Sequence, residues 1–159
     1  MQESIQGTLA QIIQAWDAGD ATAYARHFTP DAAYVIFAGA VSYGRDAIRR
    51  DHEPVLATFQ KGSRMRMSIT QIRYLDDDTA YVLTEGGVGK GKRIPLNKVQ
   101  SFLFRRQPDG SWLCEAFQNT KKNRLMIWLA ARGAKHQHES ATVNATPDPG
   151  AAQVEGPGS

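Results

Sequence analysis

The sequence predicts an α+β domain in which N-terminal helices cover a meandering sheet. Two observations carry this reading: apolar residues recur at helical spacing through the first third of the chain, and strand-like apolar runs divided by turns fill most of the rest. A chain of 159 residues fits one domain. Residues 1–133 hold the apolar pattern. Residues 134–159 are dominated by Pro, Gly, Ala, Thr and Gln and read as a disordered tail.

Ile5, Leu9, Ile12, Ile13 and Trp16 place an apolar stripe on a first helix, which Gly19 ends. Asp20 caps a second helix through Tyr24 and Phe28, and Pro30 and Asp31 stop it. Tyr34-Val35-Ile36-Phe37 is a β-branched and aromatic run, read as a buried strand, and 39–44 as a loop or hairpin. From Arg45 the helical period returns through Ile48, His52, Val55, Leu56 and Phe59, with Pro54 expected to kink it. Strands follow over 65–75, 80–85, 99–106 and 112–120. They are joined by an acidic turn at 76–78, a flexible glycine-rich connection at 86–91 and a Pro108-Asp109-Gly110 turn. Residues 125–131 read as a short closing helix. Trp16, Tyr24, Phe28 and Phe59 are expected to pack in the core, with lining of any pocket there coming along with it.

Net charge is +3, and the tail, with Lys135 against Glu139, Asp148 and Glu155, carries −2, so the rest holds +5. The basic residues come in short bursts along the chain, which argues against nucleic-acid binding. Cys114 is the only cysteine, so no internal disulfide is possible. The first residues lack a basic start and a long apolar run, and no stretch reads as a membrane span, so a cytoplasmic location is expected. Residues 86–93 nearly match a phosphate-cradling loop, but Arg93 replaces the final Ser or Thr and a strand follows instead of a helix. No nicotinamide or flavin fingerprint is present, so no cofactor is expected. His136 and His138 do not make a metal site without further ligands.

Several segments line up in order: Trp16-Asp17-Ala18-Gly19-Asp20, Phe28-Thr29-Pro30-Asp31-Ala32, Gly44-Arg45-Asp46-Ala47-Ile48 with His52 one turn on, Asp109-Gly110-Ser111-Trp112, and Phe117-Gln118-Asn119-Thr120. Together they resemble the SnoaL-like part of the NTF2-like (cystatin-like) superfamily. Within it they resemble the SgcJ/EcaC group, whose members occur in natural-product gene clusters, enediyne ones included. The resemblance covers residues 5–120. It implies a cone in which a curved mixed or antiparallel sheet wraps on three N-terminal helices around a pocket. It also implies a homodimer formed through the outer sheet face, and a role in polyketide- or enediyne-type biosynthesis. The fold hosts isomerases, cyclases, dehydratases, transport factors and inert scaffolds, so it does not settle function.

Ketosteroid isomerase, a relative within the superfamily, uses a carboxylate base and an oxyanion site built from a tyrosine and a protonated acid. An alignment through the shared glycine landmarks places Ile12, Ile36 and Phe102 at those three positions. None of these side chains can move a proton or donate a hydrogen bond, so that chemistry is not expected here.

The same alignment sets the phase of the strands. Tyr34 and Ile36, then Gln100, Phe102 and Phe104, then Leu113, Glu115, Phe117 and Asn119 are expected to face the pocket, with Ile12, Trp16 and His52 contributed by helices. Mostly apolar walls with few polar anchors suit a small apolar or aromatic ligand. His52 is read as an acid–base group or as a histidine hydrogen-bonded in the core. Glu115 is a carboxylate poised by an apolar pocket, or a solvent-facing residue if the phase slips by one. Tyr34, Gln100 and Asn119 orient a ligand or satisfy one another. Cys114, on the opposite phase from Glu115, is expected outside the pocket, and Arg45 is expected to pair a carboxylate. Three functions follow: a cofactor-independent tailoring enzyme for proton transfer, cyclisation or dehydration; a non-catalytic carrier; and a dimeric partner-binding scaffold.

Overall fold

The computed structural model describes residues 3–137. They divide into two compact units, one ending at Lys122 and one starting at Asn123.

In the first unit, α1 (Ile5–Asp17) buries Ile5, Thr8, Leu9, Ile12, Ala15 and Trp16, the stripe its sequence spacing predicts. Ser4 caps it by accepting from the Gly7 N–H at 3.1 Å. Asp20 caps α2 (Ala21–Ala25) in the same way through Ala23. This second helix is shorter than expected, because Phe28 already belongs to β1 (Phe28–Val35). A tight turn leads to β2 (Val41–Tyr43), and then Gly44 opens α3 (Arg45–Pro54). Gly44 sits at φ 85°, ψ 159°, and a Cβ there would lie 2.8 Å from the Pro30 carbonyl oxygen, so only glycine fits. Among the described residues Arg45 pairs with no carboxylate. Its Nε donates to the Phe28 carbonyl at 2.7 Å and ties α3 to β1.

Pro54 does not end the helical path but changes its pitch. Lacking an N–H, it leaves the α ladder one bond short, and the chain continues as a π-helical turn (Val55–Phe59), with Gln60 N–H bonded to Val55 O at 2.7 Å. The wider turn shifts the phase, so Leu56 is buried while Phe59 is 77% exposed and lies outside the core.

Strands β3 (Arg64–Tyr74), β4 (Thr79–Gly89), β5 (Lys98–Arg106) and β6 (Trp112–Lys121) complete an open sheet of order β2-β1-β6-β5-β4-β3. All neighbours are antiparallel except β1 and β6, which run parallel. The glycine-rich segment expected to be a loop is in strand as far as Gly89, where Gly86 to Gly89 pair with Met67 to Arg64. The core lies between the helices and one sheet face, with Phe28, Phe102, Phe104, Trp112 and Val82 almost fully buried.

The second unit contains α4 (Arg124–Gln137), longer than the expected closing helix. Arg132 stacks on Trp128 with its guanidinium 4.5 Å from the ring centroid. The expectation of a disordered tail falls mostly on residues 138–159, outside the described residues. No described helix is long and apolar enough to cross a bilayer.

Candidate functional site

A cavity of about 450 Å³ opens between α1–α3 and the covered sheet face. Its size is within the range of small-molecule sites, roughly 300–1,000 Å³. Trp16 on α1, Tyr24 on α2, Tyr34 at the end of β1, His52 on α3, Gln100 on β5 and Asn119 on β6 converge on it. Trp16 is held in place by its Nε1–H bond to Ser63 Oγ at 3.0 Å.

The deep end is a hydrogen-bonded chain. His52 Nδ1 lies 2.7 Å from the carbonyl oxygen of Ile48, one turn back along α3. A carbonyl only accepts, so Nδ1 carries the proton and Nε2 presents a lone pair. The Tyr34 hydroxyl lies 3.3 Å from Nε2, and the Tyr24 hydroxyl lies 2.8 Å from that of Tyr34. Tyr24 therefore donates to Tyr34, and Tyr34 to His52. Burial holds the His52 pKa below the ordinary histidine value, against smaller raising effects from the Ile48 carbonyl and Asp51, so the imidazole stays neutral. Burial also raises the pKa of both tyrosines and keeps them protonated.

Aromatic packing fixes this chain. Tyr34 stacks on Phe117 at 4.4 Å between centroids, and Phe117 leans on Phe102 at 4.8 Å, which in turn stacks on Phe104 at 5.5 Å. The Tyr24 and Tyr34 rings flank His52 at 4.8 and 5.0 Å. Ile12, Phe102, Phe104 and Phe117, expected to line the pocket, lie behind it as core. The three phenylalanines act on the site through Tyr34, against which Phe117 stacks.

On the sheet side, Gln100 Oε1 accepts from Thr84 Oγ1 at 2.8 Å. Its carboxamide lies across Gly86, where any Cβ would overlap it, so the glycine leaves room for the amide. Asn119 Oδ1 is buried and has no hydrogen-bond partner among the described residues. At the mouth, Ser42 Oγ donates to Asp51 Oδ2 at 2.5 Å. Lys98 Nζ stands 5.5 Å from the centroid of Phe37, which is 54% exposed.

Glu115 is not in the cavity. β6 carries a bulge: Leu103 pairs with Ala116 but Phe104 with Cys114, so one residue of β6 is skipped. Phe117 and Asn119 keep the predicted inward phase. Before the bulge the phase reverses: Cys114 and Trp112 are buried, and Glu115 turns out to pair with Arg105 at 3.1 Å. Leu113 reverses with it. Cys114 does not line the cavity, but it is core instead of outer surface. Its thiol donates to Ala116 O at 3.2 Å, and burial raises its pKa.

The structure thus gathers Trp16, Tyr34, Ile36, His52, Gln100 and Asn119 at one cavity, and adds residues that the sequence reading did not assign to it: Ser42, Asp51, Met65 and Lys98. Lys98 had a usable signal, since it stands two residues before Gln100 on one strand and shares its face. Tyr24 packs in the core and lines the cavity, as its helical spacing suggests. Among the described residues no three His, Cys, Asp or Glu side chains gather as metal ligands.

The SnoaL-like domain profile matches residues 9–113. A domain with a cystatin-like fold from Nostoc punctiforme superposes with a TM-score of 0.70 at 22% identity, over 85% of this chain and 88% of its own. An NTF2-like protein with a cystatin-like fold from Novosphingobium aromaticivorans gives 0.61 at 22% identity, over 79% and 84%. A ketosteroid isomerase-like protein from Erwinia carotovora atroseptica gives 0.57 at 17% identity, over 75% and 94%. No curated protein is significantly similar in sequence.

Proposed function

The chain belongs to the SnoaL-like domain family, and on that premise we propose that its cavity binds a compact, largely apolar molecule by a carbonyl or hydroxyl group set against Tyr34 and His52, and shifts a proton beside that group. The observation that carries this reading is the Tyr24–Tyr34–His52 chain, which ends in a neutral Nε2 lone pair inside the cavity. The Tyr34–His52 contact is long, at 3.3 Å, and easily exchanged. A ligand carbonyl that takes the Tyr34 hydrogen releases Nε2 to act as a base. Nε2 then accepts a proton from the carbon beside the carbonyl. The C–H electron pair forms the new C=C bond and the carbonyl π pair moves to oxygen, where the Tyr34 O–H, polarised by Tyr24, holds the enolate. Delivering that proton to another carbon completes isomerisation, and swapping it with solvent at Nε2 before reprotonation of the same carbon completes exchange.

The order of motifs shared with the SgcJ/EcaC group supports a conjugated polyketide- or enediyne-type ligand, and the aromatic walls suit its stacking. Val35, Leu103 and Ala116, half-buried around a shallow outer-face depression, support a homodimer through that face. A carrier role without chemistry is favoured by one observation: with Glu115 outside, His52 is the only titratable base at the deep end among the described residues.

Deuterium uptake at the α-carbons of 2-tetralone, followed by proton NMR in D₂O, separates the two roles. Proton transfer predicts acceleration over free imidazole, its loss in His52→Gln, and a fall of about 10- to 100-fold in Tyr34→Phe. Binding of 2-tetralone without acceleration leaves the carrier role standing and overturns the proton-transfer step.

A further inference from the structure

Lys98 and Lys121 are direct partners across β5 and β6, so both side chains stand on one sheet face. It is the covered face, since Gln100 and Asn119, the next pair on that face, line the cavity. Lys98 lines the mouth itself and is half-buried. Its β4 neighbour is Gly86, which adds no side chain between Lys98 and the opening.

Two like charges placed opposite each other destabilise a sheet unless an anion compensates them. Among the described residues, no carboxylate pairs with either lysine. The one polar contact of Lys98 Nζ is a 3.5 Å approach to Asn97 Oδ1. Nearby Lys122 is already bound to Glu85 at 2.7 Å. The other charged group facing the cavity, Asp51, is engaged by Ser42. Lys98 at the mouth and Lys121 opposite it on the same face therefore form a cationic pair that no described carboxylate contacts, beside an apolar interior and the exposed Phe37 ring.

We propose that the ligand is an apolar acid, whose carboxylate or sulfonate sits at Lys98 and Lys121 while its apolar body extends inward to Tyr34. The inference rests on the cavity-binding reading above and adds the charge class of the ligand. Burial and the nearby Lys121 hold the Lys98 pKa below the usual lysine value, a shift that an incoming anion would reverse.

Two probes of one scaffold test this: neutral N-phenyl-1-naphthylamine and its sulfonated form, 8-anilinonaphthalene-1-sulfonate. With the full-length ¹⁵N-labelled protein, both should shift the amide signals of Gly87 and Val88 and the side-chain amides of Gln100 and Asn119. Lys98→Gln should weaken the sulfonate about five- to tenfold and leave the neutral probe within about twofold, a charge-assisted contact partly screened at the mouth. Lys98→Arg should restore the sulfonate. Added salt should weaken only the sulfonate. If the neutral probe leaves those cavity signals unmoved, the binding reading itself falls, and this inference with it. If the neutral probe binds there but Lys98→Gln treats both probes alike, the anion site alone is overturned.

Discussion

The hydroxyls of Tyr24 and Tyr34 meet at 2.8 Å in the core, so the proton that Tyr34 offers into the cavity depends on a bond Tyr24 makes behind it. Tyr24→Phe leaves the Tyr34 oxygen without its donor. The variant should lose about 1–2 kcal/mol of stability in urea unfolding. A cycle with Tyr34→Phe should be non-additive by at least about 0.5 kcal/mol. Additive losses would show that the two hydroxyls are not coupled.

His52 and His27 are both held below the ordinary histidine pKa by burial. In the unfolded chain they ionise near 6.5. As pH falls, the unfolded state takes up these protons first, so their contribution to stability is full above about pH 6.5 and is lost as pH drops through the folded values. Urea midpoints should decline as pH falls below about 6.5, and His52→Gln should flatten part of that decline. Any proton exchange that depends on neutral His52 should persist below about pH 6.5 for the same reason. A midpoint that rises on acidification would contradict the buried neutral assignment.

Glu115→Gln should be silent in ligand binding and in proton exchange. The Arg105–Glu115 pair is partly exposed on the outer face, so stability should change by less than about 1 kcal/mol. Lost exchange activity in this variant would return Glu115 to the site.

Cys114 should resist thiol reagents. It is fully buried with a raised pKa, so the reactive thiolate is scarce and inaccessible. Ellman's reagent should label it only at denaturant concentrations that unfold the protein, and rapid labelling of the native state would refute its place in the core.

Gly44→Ala forces a Cβ against the Pro30 carbonyl at a backbone conformation reserved for glycine. A loss of about 1–3 kcal/mol is expected. An unchanged urea midpoint would mean that the strand-to-helix junction relaxes freely.

What could be read from the sequence follows from where its periods run unbroken. Gln100, Phe102 and Phe104 share one face because β5 keeps a strict two-residue alternation through them. Tyr34 and Ile36 face the cavity for the same reason. Glu115 was misplaced because Leu113-Cys114-Glu115-Ala116 alternates acceptably in either phase, and nothing in those residue types announces a skipped position. Phe59 followed the α-helical period, but the π turn after Pro54 turned it out to solvent. The glycine-rich composition of residues 86–91 reads as a flexible connection. The pairing of Gly86 to Gly89 with β3 supplies the register, and the missing side chain at Gly86 serves the Gln100 amide. Hydrogen bonds between distant residues, such as Tyr24 to Tyr34 to His52, have no sequence signature.

The parallel pairing of β1 with β6 sets an order on assembly. Val35 aligns with Gln118, and the β1–β2 hairpin joins the sheet only through β6. Tyr34 therefore gains its stacking partner Phe117 only when the last strand docks, a closure between remote stretches of chain that is intrinsically slow. Until then the β3–β4–β5 meander stands with an unpaired edge, the part of a folding chain most open to association with its own kind.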